Sequence, residues 1–537
     1  MTVTESTCGQ ALIRLLEQRG VEIVFGIPGV HTLELYRGLA DSSIRHVTPR
    51  HEQGAAFMAD GYARISRRPG VCLLITGAGV TNAATAIASA YHDSQPLLII
   101  SSATATRHAR KGHGSLHDLP DQQKLMAAIT ASSETVLSPA DLPAALDRAF
   151  AHMGGHRPRP VHIGIPIDVL AAPYPAEGGD LPGTVSPGAT DIPAEDLAQA
   201  ARLLAEARRP MILLGGGAID AGEEALRISA ACGAPIVTTV NGKGAVPETH
   251  PAALGVTTSL EPVYGALQAA DAVLAVGTEF SELDYYYQPD IPAFEGALIR
   301  IDRDRRQLRS QREPALGLAG DATEVLAELA ARVEPLGPDR SEEAATRAGE
   351  LRAGLRWWPG ASDYFGVLDA LAAALPQDAI VATDSTQPAY VANSYLRVAG
   401  PRSWLCPAGF GTLGPALPMA IGAKLAQPGR PVVCLVGDAG LLFTVAELAT
   451  AADLGLPIAV LVWQNHGYGE IREAMDQARV PHIGTEAGAH DYMELAKGFG
   501  CHGVRVSSLA ELDGAMLSAF SAEAPTVIEL DASALAP

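Results

Sequence analysis

The chain has 537 residues, of which 47% are apolar and 18% charged, so it can bury several cores and is not of the disordered class. Its 39 basic and 60 acidic residues give a net charge of -21, which argues against nucleic acid or an anionic membrane as the main partner. The six cysteines form no Cys-x-x-Cys pair, and residues 2–16 do not have the pattern of a signal peptide. The apolar runs are too short for membrane helices. These three observations predict a cytoplasmic protein with reduced thiols.

Continuous apolar runs alternate with helical stretches along the whole chain. Continuous apolarity is typical of strands buried on both faces, so the pattern predicts an α/β protein with mostly parallel sheets flanked by helices. The clearest predicted strands are Val21–Gly26, Val71–Thr76, Leu97–Ser101, Met211–Leu214, Ala272–Val276, Ile380–Ala382, Val432–Val436 and Ile458–Trp463. Linker-like composition at residues 171–195 and 332–360 predicts three domains, at residues 1–172, 190–335 and 356–537.

The first domain contains three segments with side chains suited to chemistry. Glu52 begins an Ala- and Gly-rich helical segment directly after a short apolar strand, although a lone glutamate there is more often a helix N-terminal charge. Val30 and His31 follow a Gly-Ile-Pro-Gly turn, and His117 and Asp118 lie in a later loop. Either imidazole could move protons near neutral pH, while the competing interpretation is a structural histidine.

The third domain carries the strongest local pattern. Two buried strands end in Gly437-Asp438-Ala439-Gly440 and in Gln464-Asn465. The carboxyl ends of parallel strands gather ligand sites, and a carboxylate with an amide oxygen suits Mg²⁺. The glycines and the positive end of the helix expected after Gly440 suit a diphosphate. The alternative is a tight turn that binds nothing.

These segments together resemble the thiamine-diphosphate enzymes that include acetolactate synthase, pyruvate decarboxylase and benzoylformate decarboxylase. The family motif runs from Gly-Asp-Gly or Gly-Asp-Ala to Asn-Asn, and Asn465 follows Asp438 at the usual spacing of 27 residues. Gln464 departs from the first Asn of that pair. The segment that starts at His51 is similar to the family's His-Glu-x-x-Ala-x-x-Met-Ala-x-Gly-Tyr-Ala-Arg helix, which carries the activating glutamate. The resemblance extends over essentially the whole chain.

The resemblance implies thiamine diphosphate and Mg²⁺ as cofactors. Glu52 would activate the cofactor at its aminopyrimidine ring, and Leu413 would support the bent cofactor conformation. Asp438, Asn465 and the carbonyl of Gly467 would hold the metal ion. Further cofactor contacts are expected from Ser385, Gln387, Gly411, Gly437, Ala439, Gly440 and Tyr468.

The resemblance also implies an assembly and an architecture. The first and third domains would have the thiamine-diphosphate-binding fold and the central domain a Rossmann-like fold. Glu52 and Asp438 would serve one cofactor from different subunits, in a homodimer or a dimer of dimers. Flavin adenine dinucleotide occurs in acetolactate synthases, and nothing in this sequence requires it. A flavin- or nucleotide-binding scaffold built on Gly215-Gly216-Gly217, or a purely structural oligomer, would leave Glu52 and Asp438 without a role.

In detail, the sequence is most similar to 5-guanidino-2-oxopentanoate decarboxylases, which form 4-guanidinobutanal and carbon dioxide. The segments that carry this similarity are GIPGVHTLELYRGL, TPRHEQGAAFMADGYAR and GTEFSELDYYY. The alternative is an acetolactate synthase-like or benzaldehyde lyase-like carboligase. Val30, His31 and His117 are expected at the substrate. A guanidinium tail requires a carboxylate. The candidate carboxylates are Asp118, Glu279, Glu282, Asp284 and Glu470. Of these, Glu470 is expected to face the substrate, and the other four are expected to be solvated surface charges.

Overall fold

The computed structural model describes residues 6–175, 192–488 and 490–532, and within these ranges the strands form three six-stranded, all-parallel sheets. Helices flank each sheet, so the predicted α/β class with three parallel-sheet units is confirmed. The linker predicted at residues 171–195 falls mostly on residues 176–191, which lie outside the described residues.

The first unit has the strand order β2-β1-β3-β4-β6-β5 once its strands are numbered along the chain. The strands are β1 Ile23–Gly26, β2 Arg45–Val47, β3 Gly70–Leu74, β4 Leu97–Ala103, β5 Ser132–Thr135 and β6 Val161–Pro166. The helices are α1 Cys8–Gln18, α2 Leu33–Leu39, α3 Glu52–Ser66, α4 Ala78–His92, α5 Gln122–Ala127, α6 Leu142–Gly155 and α7 Ile167–Leu170, with 3₁₀ turns at Val30–Thr32 and Pro139–Asp141.

The central unit has the strand order β12-β11-β10-β7-β8-β9. Its strands are β7 Pro210–Leu214, β8 Ile236–Thr238, β9 Ala253–Gly255, β10 Ala272–Val276, β11 Ala297–Asp302 and β12 Leu316–Ala319. Its helices are α8 Ala194–Glu206, α9 Gly222–Cys232, α10 Val263–Ala269, α11 Ala322–Val333 and α12 Ser341–Ala353, with 3₁₀ turns at Gly216–Ala218, Glu282–Tyr285, Gln307–Arg309 and Glu334–Leu336.

Helix α12 comes from the segment that was interpreted as a linker, and it packs on the central unit. The Arg347 guanidinium donates hydrogen bonds to the carbonyl oxygens of Pro210 at 3.1 Å and Gly233 at 2.9 Å. Ala348 is fully buried in the core of this unit.

The third unit has the strand order β14-β13-β15-β16-β18-β17. Its strands are β13 Ile380–Thr383, β14 Trp404–Leu405, β15 Val432–Gly437, β16 Ile458–Gln464, β17 His502–Val506 and β18 Thr526–Asp531. Its helices are α13 Phe365–Ala374, α14 Gln387–Tyr395, α15 Ala416–Ala426, α16 Asp438–Leu442, α17 Glu447–Asp453, α18 Gly469–Ala478, α19 Tyr492–Gly498 and α20 Leu512–Phe520, with 3₁₀ turns at Ala361–Tyr364 and Leu509–Glu511.

All eight predicted strands lie in these sheets, but the helix expected after Gly440 differs from the prediction. It begins at Asp438 and ends after about one turn, and α17 follows it before β16. At the break, the Thr444 hydroxyl donates a hydrogen bond to the carbonyl of Gly414 at 2.7 Å. This hydrogen bond joins the break between α16 and α17 to the loop around Gly414.

Helices α3 and α15 join the first and third units in one continuous core. Their backbones approach so closely that side chains are excluded at the crossing. A Cβ atom at Gly61 would lie 2.2 Å from the carbonyl oxygen of Met419, and one at Gly422 would lie 2.0 Å from that of Met58. Glycine at both positions therefore sets the distance between the two units.

In the part of the chain that the structure describes, no helix is both long and apolar enough to cross a membrane. All six cysteines are free, and five of them are buried.

Candidate active site

Asp438 lies at the carboxyl edge of the third sheet, at the start of α16, and its side chain is buried. Its Oδ1 accepts the backbone N–H of Ala439 at 2.7 Å, and its Oδ2 accepts that of Gly467 at 3.0 Å. Burial raises the pKa of this carboxyl group. A cation beside Asp438 would offset the cost of burying its charge, as expected of a metal ligand.

Asn465 follows β16 and lies beside the loop of Gly467. Its Nδ2 donates to Oε1 of Gln387 at 3.0 Å, so Oδ1 is the side-chain atom available to a cation. Gly469 leaves room for this contact, because a Cβ there would lie 2.4 Å from Asn465 Nδ2. The Gln387 amide also donates to Glu473. The structure therefore places Gln387 against a predicted metal ligand.

The metal site would rest on oxygen ligands of several kinds. Over the described ranges, His, Cys, Asp and Glu side chains form no group of three or more that could hold a metal ion. A cation at Asp438 would thus need amide, backbone carbonyl and phosphate oxygens. That set of hard ligands suits Mg²⁺.

Asp384 fixes one end of the loop that carries Leu413. It follows β13, is buried, and accepts the backbone N–H groups of Ser385 at 2.8 Å and Gly414 at 2.9 Å. Burial raises the pKa of Asp384 to about 7. Asp384 was not among the predicted site residues, although its place at the end of a buried parallel strand could have indicated a role.

Asp93 fixes the other end of the same loop and brings the three units together. Its Oδ1 accepts the backbone N–H of Gly409 at 2.9 Å and the Asn241 side chain at 3.2 Å. Its Oδ2 pairs with the buried Arg64 guanidinium at 2.8 Å. Two buried carboxylates from different units therefore hold the loop that contains the half-buried Leu413.

Glu52 is the first residue of α3, as predicted, and it has a partner that the sequence did not reveal. The Asn82 side chain donates to its Oε2 at 2.9 Å. Gly79 lies beside the carboxylate, since a Cβ there would be 3.4 Å from Glu52 Oε1. Both neighbours come from α4, so this helix fixes the direction of the carboxylate.

The turn before Glu52 is anchored by the third unit. Glu447 of α17 is buried, and its carboxylate accepts the backbone N–H groups of Arg50 and His51, both at 3.0 Å. Burial raises the pKa of Glu447. The only indication of this role in the sequence is a glutamate in an otherwise mostly apolar helical segment, and it was not singled out above.

His31 and His117 are brought together although 86 residues separate them. Their rings lie edge to face with centroids 5.3 Å apart. Burial, and then the charge of His117, lowers the pKa of His31. Its buried Nδ1 has no hydrogen-bond partner among the described residues. The neighbouring Val30 is 76% exposed, and Asp118 instead accepts a hydrogen bond from the Thr104 hydroxyl at 2.7 Å.

Glu470 lines a cavity of about 250 Å³ between the central and third units. Ser385 and Gly411, two residues expected at the cofactor, line the same cavity. Burial, and then the nearby Glu473, raises the pKa of Glu470. Asp284 also lines this cavity and is only 8% exposed, so its predicted role as a solvated surface charge was wrong.

A second cleft, of about 190 Å³, lies at the carboxyl ends of the central strands. Its lining includes Gly216 and Gly217, which follow β7, and Asp302 at the end of β11. The Arg157–Glu279 ion pair, at 2.9 Å, also lines it. The alternative of a flavin- or nucleotide-binding scaffold built on Gly215-Gly216-Gly217 would place its ligand in this cleft.

Comparison with known proteins covers all three units. The chain matches the thiamine pyrophosphate enzyme family through the N-terminal TPP-binding domain at residues 6–125, the central domain at 197–329 and the C-terminal TPP-binding domain at 384–530. It is 47% identical to the probable 2-ketoarginine decarboxylase AruI of Pseudomonas aeruginosa, over 98% of this chain and 94% of that protein. It is 32% identical to a probable acetolactate synthase large subunit of Methanocaldococcus jannaschii, over 97% and 91% of the two chains. It is also 31% identical to the acetolactate synthase isozyme 1 large subunit of Escherichia coli, over 98% and 93%.

Proposed function

We propose that this chain, which belongs to the thiamine pyrophosphate enzyme family, decarboxylates 5-guanidino-2-oxopentanoate (2-ketoarginine) to 4-guanidinobutanal and carbon dioxide. The proposed substrate rests mainly on one observation, which is that Glu470 lines the same cavity as Ser385 and Gly411. The Glu470 carboxylate therefore shares a cavity with two expected cofactor contacts, and a cationic substrate tail could pair with it there. The acetolactate synthase relatives, at 31–32% identity, support a carboligase less well.

The residues at the two ends of the site fit thiamine diphosphate and Mg²⁺. Asp438, Asn465 and the carbonyl of Gly467 would hold the metal ion, for which Asp438 has the charge and Asn465 the free oxygen. Leu413 would support the bent cofactor. The other proposed cofactor contacts are Ser385, Gln387, Gly411, Gly437, Ala439, Gly440 and Tyr468. When bound, thiamine diphosphate supplies the electron acceptor that carboxylate loss requires.

Glu52 would hold a proton at the ring nitrogen of the cofactor's aminopyrimidine. Its hydrogen bond from Asn82 and its fixed place at the start of α3 keep the carboxylate in one position. A positioned acid–base group of this kind contributes about 10²- to 10⁴-fold to a rate.

His31 and His117 would deliver the proton that the product requires. The Nδ1 of His31, which has no hydrogen-bond partner among the described residues, would pass the proton on, and the ring of His117 lies beside it. Efficient protonation favours release of an aldehyde over attack on a second carbonyl. The paired rings therefore support aldehyde release rather than carboligation after carbon dioxide is lost.

Glu52→Gln is expected to lower kcat at least about 10²-fold without changing the fold, because the amide cannot hold the same proton. The assay supplies thiamine diphosphate, Mg²⁺ and a panel of 2-oxo acids, and identifies carbon dioxide and the second product by mass spectrometry. Glu195→Gln, an exposed glutamate in the first turn of α8, is the matched control. Full activity of Glu52→Gln would contradict the mechanism, and acetolactate formed from pyruvate would favour the carboligase.

A further inference from the structure

The cavity between the central and third units has a one-sided charge. Its lining includes the carboxyl groups of Asp284, Asp384 and Glu470. None of the described residues that line it is Lys, Arg or His. A cavity lined in this way favours a positively charged group over a neutral one beside its carboxyl groups.

Only two of the three carboxyl groups are available to a ligand. Asp384 is used by the protein, because its oxygens accept the N–H groups of Ser385 and Gly414. Asp284 accepts the backbone N–H of Val240 at the longer distance of 3.3 Å, and among described side chains it has no ion-pair partner within 4 Å. Burial raises the pKa of Asp284 to about 7, so a cationic ligand would favour the charged form of this carboxyl group as it binds.

Aromatic rings complete the same cavity. Tyr287 of the central unit and Trp358, which precedes α13, stack with centroids 4.2 Å apart and planes 15° from parallel. Both line the cavity with Glu470, and burial, followed by the negative charge of Glu470, raises the pKa of Tyr287. Aromatic faces beside carboxylates are the surroundings that a planar guanidinium prefers.

We propose that Asp284, Tyr287, Trp358 and Glu470 form a subsite that selects 2-oxo acids with a planar cationic tail. This inference rests on the proposed function, since the 2-oxo group must lie at the Ser385 end of the cavity. Asp284 and Glu470 would accept N–H groups of the tail, while the stacked rings would contact its plane or edge. Two separate chain segments, the turn around Asp284 and the start of α18, would thus determine the substrate.

The test compares 5-guanidino-2-oxopentanoate with 5-ureido-2-oxopentanoate, a neutral molecule of nearly the same shape. The native enzyme should prefer the guanidino acid in kcat/KM by at least about 10²-fold, because the neutral ureido group offers no positive charge to the buried Asp284 or to Glu470. Asp284→Asn and Glu470→Gln should each reduce that preference at least about tenfold, mainly through KM. Glu282→Gln, an exposed carboxylate in the same 3₁₀ turn that lies outside the cavity lining, should leave the preference unchanged.

A binding measurement separates failure of the subsite from failure of the reaction. Tryptophan fluorescence would report the binding of 5-guanidinopentanoate and 5-ureidopentanoate, which lack the keto group, with Trp358→Phe identifying the signal of Trp358. Preferential binding of the guanidino compound without decarboxylation of any 2-oxo acid would overturn the proposed function and support the subsite. Equal turnover of the two 2-oxo acids, or equal binding of the two keto-free compounds, would overturn the subsite.

Discussion

At the scale of single residues, the site depends on buried carboxylates that accept backbone N–H groups. Asp384, Asp93 and Glu447 each hold a loop or turn that carries a predicted cofactor residue. None of the three needs to touch the cofactor to matter. Their hydrogen bonds fix the backbone of the loops and turns that carry the predicted cofactor residues. A catalytic site requires such fixed geometry.

Asp384→Asn should therefore lower the apparent affinity for thiamine diphosphate more than the apparent affinity for the 2-oxo acid. The amide NH₂ would face the N–H of Gly414 and release the loop of Leu413, and a lost buried hydrogen bond of this kind costs about 1–3 kcal/mol. We expect the thiamine diphosphate concentration for half-maximal activity to rise roughly tenfold, with a smaller change in the KM of the 2-oxo acid.

Asp363→Asn, an exposed carboxylate in the same unit, is the control for that substitution. Activity titrations with cofactor at saturating substrate distinguish the two variants. An Asp384→Asn enzyme with native cofactor dependence and native kcat would show that Asp384 has no positioning role.

The residues that sequence could reveal are those with a local pattern. Asp438 and Asn465 end neighbouring strands at a characteristic spacing, and Glu52 begins a distinctive helix, so each could be singled out before the fold was known. Asn82 and Asp93 could not, because their roles come from contacts between distant segments. Sequence spacing does not report such contacts until the sheets are assembled.

Histidines illustrate the same limit. His162 is buried between the hydroxyls of Ser101 at 2.8 Å and Ser133 at 2.7 Å, and burial lowers its pKa to about 3, so the fold gives it a structural role. His31 was left between a structural and a catalytic interpretation. Its edge-to-face contact with His117 crosses two loops, so only the fold could reveal it.

At the scale of elements, continuous apolar runs predicted the strands well because parallel strands are buried on both faces. The chain between Asp438 and β16 was harder, since its break at Thr444 depends on a hydrogen bond to Gly414, thirty residues away. The crossing of α3 and α15 was also unforeseen. The small residues that permit it look like ordinary helix interior in the sequence.

Gly61→Ala should destabilise the protein because its Cβ would lie 2.2 Å from a backbone oxygen of α15. Overpacking against backbone costs about 1–3 kcal/mol, and the separation of the two helices would also disturb Glu52 at the start of α3. The measurement is the urea midpoint of unfolding together with kcat. Gly349→Ala in α12 is the matched control, since a Cβ there would meet nothing within 4 Å and should stabilise by about 0.4–1 kcal/mol. Equal midpoints for the two variants would contradict a packing role for Gly61.

At the scale of the whole molecule, large apolar side chains are exposed on the segments that carry the candidate site. Val30 is 76% exposed and Leu116 68% in the first unit, while Phe443 is 52% and Ile483 77% in the third. Exposed apolar groups near functional loops are typical of an interface. They support the proposal that a second copy of the chain covers these segments in a homodimer or a dimer of dimers.

If Glu52 and Asp438 serve one cofactor from different subunits, two inactive variants should restore each other. A heterodimer of Glu52→Gln and Asp438→Asn chains, isolated with two different affinity tags, would contain one site with both substitutions and one with neither. Its kcat per dimer should therefore be about half that of the native dimer, while each variant alone stays inactive. If both residues served a cofactor within their own chain, every site in the heterodimer would carry one substitution, and no activity would return. The same heterodimer measured at several protein concentrations would show whether activity is lost as the subunits separate, because a site shared between subunits cannot survive dissociation.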